Sequence, residues 1–237
     1  MIITKKFIFT GRGSAFLTSE GNTSCYLKDE KNFLLIDCGE TVFSKLKEYD
    51  LLDKSYENFI ICLTHLHPDH AGSLGSLIFY MYYIQKVKTL IIYPDKENLF
   101  SYLDLIGADR KMYDITSNKD ELVDILGIKK ISWIKTSHVD NIASYGFLFE
   151  DDKEKVTIYT GDTNKFPIDL KNTKLNIERI YTEVSYNNYE GSPHLYIEDL
   201  KEAILEEYRE KTYCMHIDDY RLIDAIEECK MNVVTCD

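Results

Sequence analysis

The order of elements along the chain predicts an α/β fold in which two β-sheets pack face to face with helices outside. Three observations carry this. Runs of strands are followed by runs of helices, and the sequence does this twice over. The strand candidates are short apolar segments rich in Ile, Leu, Phe and Tyr. The helix candidates carry an apolar stripe on one side only. Of the 237 residues, 44% are hydrophobic, enough for a sizeable core. No low-complexity tract, Pro/Gly/Ser linker or solenoid-length repeat divides the chain. A single domain spanning residues 1–237 is therefore expected.

The elements follow in order. Lys5 to Thr10 reads as a strand before the turn Gly11-Arg12-Gly13. Cys25 to Lys28 and Phe33 to Asp37 flank the charged turn Asp29-Glu30-Lys31-Asn32. Thr41 to Glu48 reads as a short helix and Phe59 to Thr64 as a buried strand. Leu74, Leu77, Ile78 and Met81 share one face, so 73–84 is predicted as a helix whose positive end faces the preceding loop. Thr89 to Tyr93 is a strand. Asp95 can cap a helix running to Ile106 that Gly107 ends. Asn118 to Leu126 is predicted as another helix, stopped by Gly127.

In the second half, Lys130 to Thr136 is a strand leading to His138. Ser144 to Glu150 and Val156 to Thr160 form a hairpin, and Gly161-Asp162-Thr163 follows. Ile177 to Thr182 is a strand leading to Glu183. Ile197 to Tyr208 is a helix, Thr212 to Met215 a strand ending at His216, and Asp219 to Cys229 a helix.

The most informative segment is His65-Leu66-His67-Pro68-Asp69-His70, placed directly after the apolar strand. Pro68 is expected to keep it a loop from which the side chains fan out. Three imidazoles and a carboxylate within six residues exceed what one zinc ion takes from a local motif. Imidazole suits zinc, manganese or iron, and the nearby carboxylate suits a two-metal site. The other histidines, His138, His194 and His216, each fall at a strand end or in a Gly/Pro-bearing loop. On spacing alone, any of these three can equally be a satisfied core or surface residue. Asp162 can project from a strand end, although a plain turn residue is the simpler reading without further context.

The net charge of −12 disfavours a nucleic-acid polymer, whose binding usually shows a basic footprint. A small anion stays compatible, because bound cations reverse the local field. The six cysteines show no CxxC and no framework spacing, and read as reduced, mostly buried thiols. No membrane-length apolar run and no signal peptide is visible, so a cytoplasmic protein is expected.

The segments LLIDCGE with Asp37, THLHPDHAG, isolated His138, YTGDT with Asp162, and strand-end His216 resemble, in order and distance, the metallo-β-lactamase-fold hydrolases. That resemblance implies a four-layer αββα sandwich with two mixed sheets. It implies two divalent metal ions, zinc or else manganese, with a bridging hydroxide as nucleophile. His65, His67 and His138 would hold the first, Asp69, His70 and His216 the second, and Asp162 would bridge them. Asp37 would orient the motif without binding metal.

The stretch Thr182-Glu183-Val184-Ser185-Tyr186 followed by Ser192-Pro193-His194 resembles the phosphodiester-cleaving branch, which includes transfer-RNA 3′-processing enzymes. There a histidine before a helix protonates the leaving oxygen or binds phosphate. Here it would be His194, with Glu183 as its partner; a surface histidine ahead of a helix is the plainer alternative. The compact size and the run HLHPDHAGSLGSL look most like the anti-Pycsar type of cyclic nucleotide phosphodiesterase, a resemblance that implies a cyclic mononucleotide substrate, a homodimer and evasion of immune signalling. Three other readings stay open: a transfer-RNA 3′-processing nuclease, an acyl hydrolase such as a lactonase or thioesterase, and a non-catalytic metal-binding scaffold.

Overall fold

The computed structural model describes residues 6–53 and 56–236. Lys5, where the first strand was expected to begin, lies outside them. Two mixed sheets form the centre. The first runs in the order β1-β2-β3-β4-β5-β6, from β1 (Ile8–Gly11), β2 (Ser24–Lys28), β3 (Asn32–Ile36), β4 (Asn58–Cys62), β5 (Thr89–Ile92) and β6 (Tyr113–Thr116). β1, β2 and β3 pair antiparallel, and β3 to β6 pair parallel. The second sheet runs β13-β12-β11-β10-β9-β8-β7. Its strands are β7 (Asp120–Ile125), β8 (Ile128–Thr136), β9 (Ser144–Asp151), β10 (Lys155–Tyr159), β11 (Asn176–Glu183), β12 (Thr212–Met215) and β13 (Asn232–Val233). Here β7 to β10 are antiparallel and β10 to β13 parallel.

Strand alternation divides the core into three slabs, because successive side chains point to opposite faces. In β3, Phe33 and Leu35 pack under the first sheet's helices, whereas Leu34 and Ile36 face the other sheet. β4 repeats this with Phe59 and Ile61 outward and Ile60 and Cys62 between the sheets. In β10, Val156 and Ile158 turn to the second sheet's helices and Tyr159 to the inter-sheet slab. The helices α1 (Val42–Glu48), α3 (Leu74–Tyr80) and α4 (Lys96–Leu105) cover one side, and α5 (Ile197–Ala203) and α7 (Arg221–Glu228) the other. This is the four-layer αββα sandwich with two mixed sheets.

Four local expectations need correction. Residues 118–126 form no helix; β7 pairs antiparallel with β8, with every second residue half-buried from Glu121 to Ile125. The period of two wins here because β7 covers the flank of the long strand β8. Pro68 does not exclude a helix: it takes the first position of a one-turn helix, α2 (Pro68–Ala71), where its missing N–H costs nothing. The helix expected over 197–208 breaks at Ile204, which is extended, and resumes as α6 (Glu206–Arg209). The helix expected over 73–84 stays α-helical from Leu74 to Tyr80 and widens to a π-turn over Met81–Gln85. β6 and β13 had no sequence expectation.

Candidate active site

The carboxyl ends of β3, β4, β10, β11 and β12 converge on one edge of the sandwich, where open α/β sheets bind their ligands. Close approach there is enforced by glycine. A Cβ on Gly39 would sit 1.9 Å from the Asp69 carbonyl oxygen. Gly161 has φ 60°, and its Cβ would meet the Tyr145 carbonyl at 2.7 Å. Asp37 (φ 61°) and His216 (φ 60°) adopt the same left-handed backbone with side chains attached, which costs on the order of 1–3 kcal/mol each. Both carry side chains that the site uses.

His65, His67 and His138 bring one ring nitrogen each into a common cluster. His67 Nδ1 lies 2.9 Å from His65 Nε2 and 3.2 Å from His138 Nε2. Their outer partners fix the tautomers. His138 Nδ1 is 3.0 Å from the Pro193 carbonyl, which only accepts, so that nitrogen carries the proton. Thr64 Oγ1 donates to Asp37 Oδ2 and is therefore an acceptor for His65 Nδ1, 3.1 Å away. Nε2 of both rings is left as a lone pair aimed inward. Burial, aided by the charge of His70, holds His65 well below the usual imidazole range and hence neutral, the form a metal ligand requires.

Asp69, His70, Asp162 and His216 form a second cluster, all of them buried. Asp69 Oδ2 is 3.3 Å from both His70 Nε2 and His216 Nε2. Asp162 reaches both clusters: Oδ1 lies 3.4 Å from His70 Nε2, and Oδ2 lies 3.5 Å from His216 Nε2 and 3.7 Å from His138 Nε2. Burial alone would raise its carboxyl; His216 and His70 outweigh that and hold it well below the usual range. His70 Nε2 is buried without a hydrogen-bond partner, while its Nδ1 is engaged by Asp37 Oδ2 at 2.8 Å. An orphaned nitrogen, converging lone pairs and a carboxylate between the two sets suit two divalent cations. Asp37 itself points away, accepting from Thr64 N at 2.7 Å.

His194 and Glu183 adjoin these clusters. His194 Nδ1 and Glu183 Oε2 are 2.7 Å apart, and the His194 ring stacks on His216 at 5.1 Å between centroids. Glu183 is buried at the end of β11, and its other oxygen accepts from Thr163 N. Burial lowers the His194 pKa, but the Glu183 carboxylate outweighs it and pushes the imidazolium up to about 9. The His194 side chain keeps 27% of its surface exposed to solvent. The nine residues expected to bind metal or act on substrate thus lie together, with Asp37 behind them.

Sequence reasoning missed Asp218. It accepts from Ser185 Oγ (2.6 Å), Tyr186 N (3.0 Å) and Asn187 Nδ2 (3.0 Å), so it pins the loop that leads to His194. Its place two residues after His216 was the available signal.

The "Anti-Pycsar protein Apyc1" family model matches residues 5–237. The anti-Pycsar protein Apyc1 of Bacillus phage BSP38 is 27% identical over 243 residues, covering 92% of this chain and 91% of that one. The metallo-β-lactamase fold protein YhfI of Bacillus subtilis superposes with a TM-score of 0.77 at 17% identity, over 97% of this chain and 95% of that one. The short form of human tRNase Z gives 0.69 at 16% identity, over 98% and 96%. The chain has the metallo-β-lactamase fold and belongs to the anti-Pycsar protein Apyc1 family.

Proposed function

We propose that this protein hydrolyses 3′,5′-cyclic mononucleotides to linear nucleoside monophosphates and thereby removes a cyclic-nucleotide immune signal. The observation that carries the reading is the His194–Glu183 pair beside two metal-ligand clusters joined by Asp162. A hydrolase that expels a poor alkoxide leaving group needs both a water nucleophile and a proton donor. Family membership supports the signalling context.

His65, His67 and His138 would hold one cation, Asp69, His70 and His216 the other, and Asp162 both. Two zinc ions fit the imidazole-rich donors best, with manganese the alternative. When bound, the ions activate water near neutral pH and neutralise the phosphate charge. Glu183 orients the His194 ring through Nδ1, which leaves Nε2–H as the acid. The water oxygen bonds to phosphorus, the bond from phosphorus to the sugar oxygen breaks, and that oxygen takes the Nε2 proton. The proton shed by the water returns to His194 Nε2, which resets the acid. The enzyme acts as a cytoplasmic homodimer in this reading.

Transfer-RNA 3′ processing is the second reading, favoured by the fold shared with human tRNase Z. The net charge of −12 opposes it, since RNA affinity rests on a basic surface.

The deciding experiment is product analysis. Metal-loaded protein is incubated with a panel of 3′,5′-cyclic purine and pyrimidine mononucleotides, next to the Asp69→Ala protein. Linear monophosphate formed only by the unsubstituted protein is the expected result. No turnover of any member, with metal content intact, would sink the reading and bring precursor transfer RNA, lactones and thioesters forward.

A further inference from the structure

Two loops frame the mouth of the site, and one short segment anchors both. His216-Ile217-Asp218 follows β12. Ser14 N donates to the Ile217 carbonyl (2.9 Å), and Ile217 N donates to the Arg12 carbonyl (2.8 Å). Gly13 N donates to the Gly21 carbonyl (2.8 Å), and Leu17 packs against the core slab of the second sheet. The Ala15-Phe16 turn is thus held on both sides, yet Phe16 is 96% exposed. The opposite loop is pinned by Asp218 through Ser185, Tyr186 and Asn187, and closed by Ser192 N donating to the Tyr189 carbonyl (3.0 Å). Tyr189 on it is 58% exposed.

A single exposed apolar side chain needs no explanation on its own. The placement of these two does. Both line a cavity of about 730 Å³ whose floor is made of His67, Asp69, His138 and Asp162. Among the described residues that line it, Phe16 and Tyr189 are the aromatic side chains other than histidine. The histidine and aspartate floor suits metal ions and a phosphate. The lips offer two π-faces on anchored turns, so little conformational entropy is lost when a ring settles on them.

We propose that Phe16 and Tyr189 form a base-binding subsite, on which the heteroaromatic base of a nucleotide stacks while its phosphate reaches the histidine and aspartate floor. The subsite rests on the phosphodiesterase reading for its substrate class. Stacking is tolerant of base identity, since every base has a π-face, so the subsite accepts purines and pyrimidines alike.

The test is calorimetric titration of metal-loaded protein with a nucleoside 5′-monophosphate and with ribose 5-phosphate, which share the phosphate and sugar and differ in the base. The unsubstituted protein should bind the nucleotide about tenfold more tightly. Phe16→Ala and Tyr189→Ala should each lower that ratio about fivefold. Phe16→Trp should restore it, and Phe16→Leu, which keeps bulk but has no π-face, should not. Thermal melts of each protein report folding, with Leu122→Ala in the distant β7–β8 hairpin as reference. Equal affinity for the two ligands overturns the subsite, as does a Phe16→Leu protein that matches the unsubstituted one. Cyclic mononucleotide turnover measured in parallel separates the two ideas. Turnover with equal affinity for the nucleotide and ribose 5-phosphate sinks the subsite alone, and tighter binding of the nucleotide without turnover sinks the phosphodiesterase reading alone.

Discussion

Asp37 Oδ2 stands 2.8 Å from His70 Nδ1, and through that contact a residue outside the two clusters decides which nitrogen of His70 faces them. The carboxylate accepts, Nδ1 donates, and Nε2 is left bare toward Asp69 and Asp162. The same carboxylate accepts from Thr64 N and Thr64 Oγ1, which steadies His65 next in the chain. Asp37→Ala removes all three bonds while leaving every residue of the two clusters in place. Metal affinity, read by competition with a chelator, should fall about 10–100-fold. An unchanged affinity would mean that His70 is oriented by packing alone.

His194→Ala should lower kcat on a cyclic mononucleotide by about 10²–10⁴-fold, because the leaving alkoxide loses its proton donor. Metal content should stay at the level of the unsubstituted protein. A diester with a nitrophenoxide leaving group should be spared most of the loss, since nitrophenoxide departs without protonation. Glu183→Gln should fall on the same side, with a smaller deficit, as the ring loses its orienting charge but keeps a hydrogen-bond partner. A silent His194→Ala would instead favour acyl hydrolysis.

The thiols give a pH-dependent prediction. Cys25, Cys38, Cys62 and Cys214 are fully buried, and burial pushes the Cys38 thiol up to about 12. Cys25 and Cys62 are also raised well above the usual thiol range by burial. Cys236 is exposed. At pH 8 a disulfide reagent should therefore titrate one thiol per native chain quickly, and all six in denaturant. The sign for stability follows: a thiol whose pKa is raised in the folded state favours folding below the unfolded value of 9.0, and that contribution is lost as pH rises towards 12. Melting temperature should accordingly decline above about pH 9. Rapid native titration of several thiols would contradict the packing of the three core slabs.

What the sequence made legible follows from how local each signal is. His65, His67, Asp69 and His70 share one strand end, so their density was readable without any fold. Asp162 and Glu183 each end an apolar strand, but position alone left a plain turn residue as the simpler reading, and their roles came from the resemblance of the surrounding segments. Residues 118–126 misled because Leu122, Val123 and Ile125 suit a helical stripe as well as a half-buried hairpin, and the choice depends on β8, which the window does not contain. Asp218 and Phe16 were harder to read for a related reason. Asp218 acts on a loop up to 33 residues away in the chain, so its nearness to His216 hinted at the site but not at the contact, and a lone Phe in a turn has no local signature.

Asp218 supplies the last prediction. Its three hydrogen bonds hold 185–187, and the loop from there carries Tyr189 and then His194. Each bond contributes on the order of 0.5–1.5 kcal/mol, and Asp218→Ala gives up all three at a partly exposed site. The main core slabs are untouched and the site is partly exposed, so the loss should lie at the low end, about 1.5 kcal/mol, or roughly 3–6 °C at 2–4 °C per kcal/mol for a chain of this size. Catalysis should suffer more than stability. With its loop slack, the His194 ring has Glu183 but no fixed backbone, and kcat should fall about tenfold or more, as misplacing a catalytic group does. The loss should shrink on the nitrophenoxide diester, because only proton donation by His194 has been compromised. Asp218→Asn keeps an acceptor for Tyr186 N and should recover part of the rate. Equal losses on both substrates would show that Asp218 supports the metal-binding floor through His216, two residues away, and not the acid.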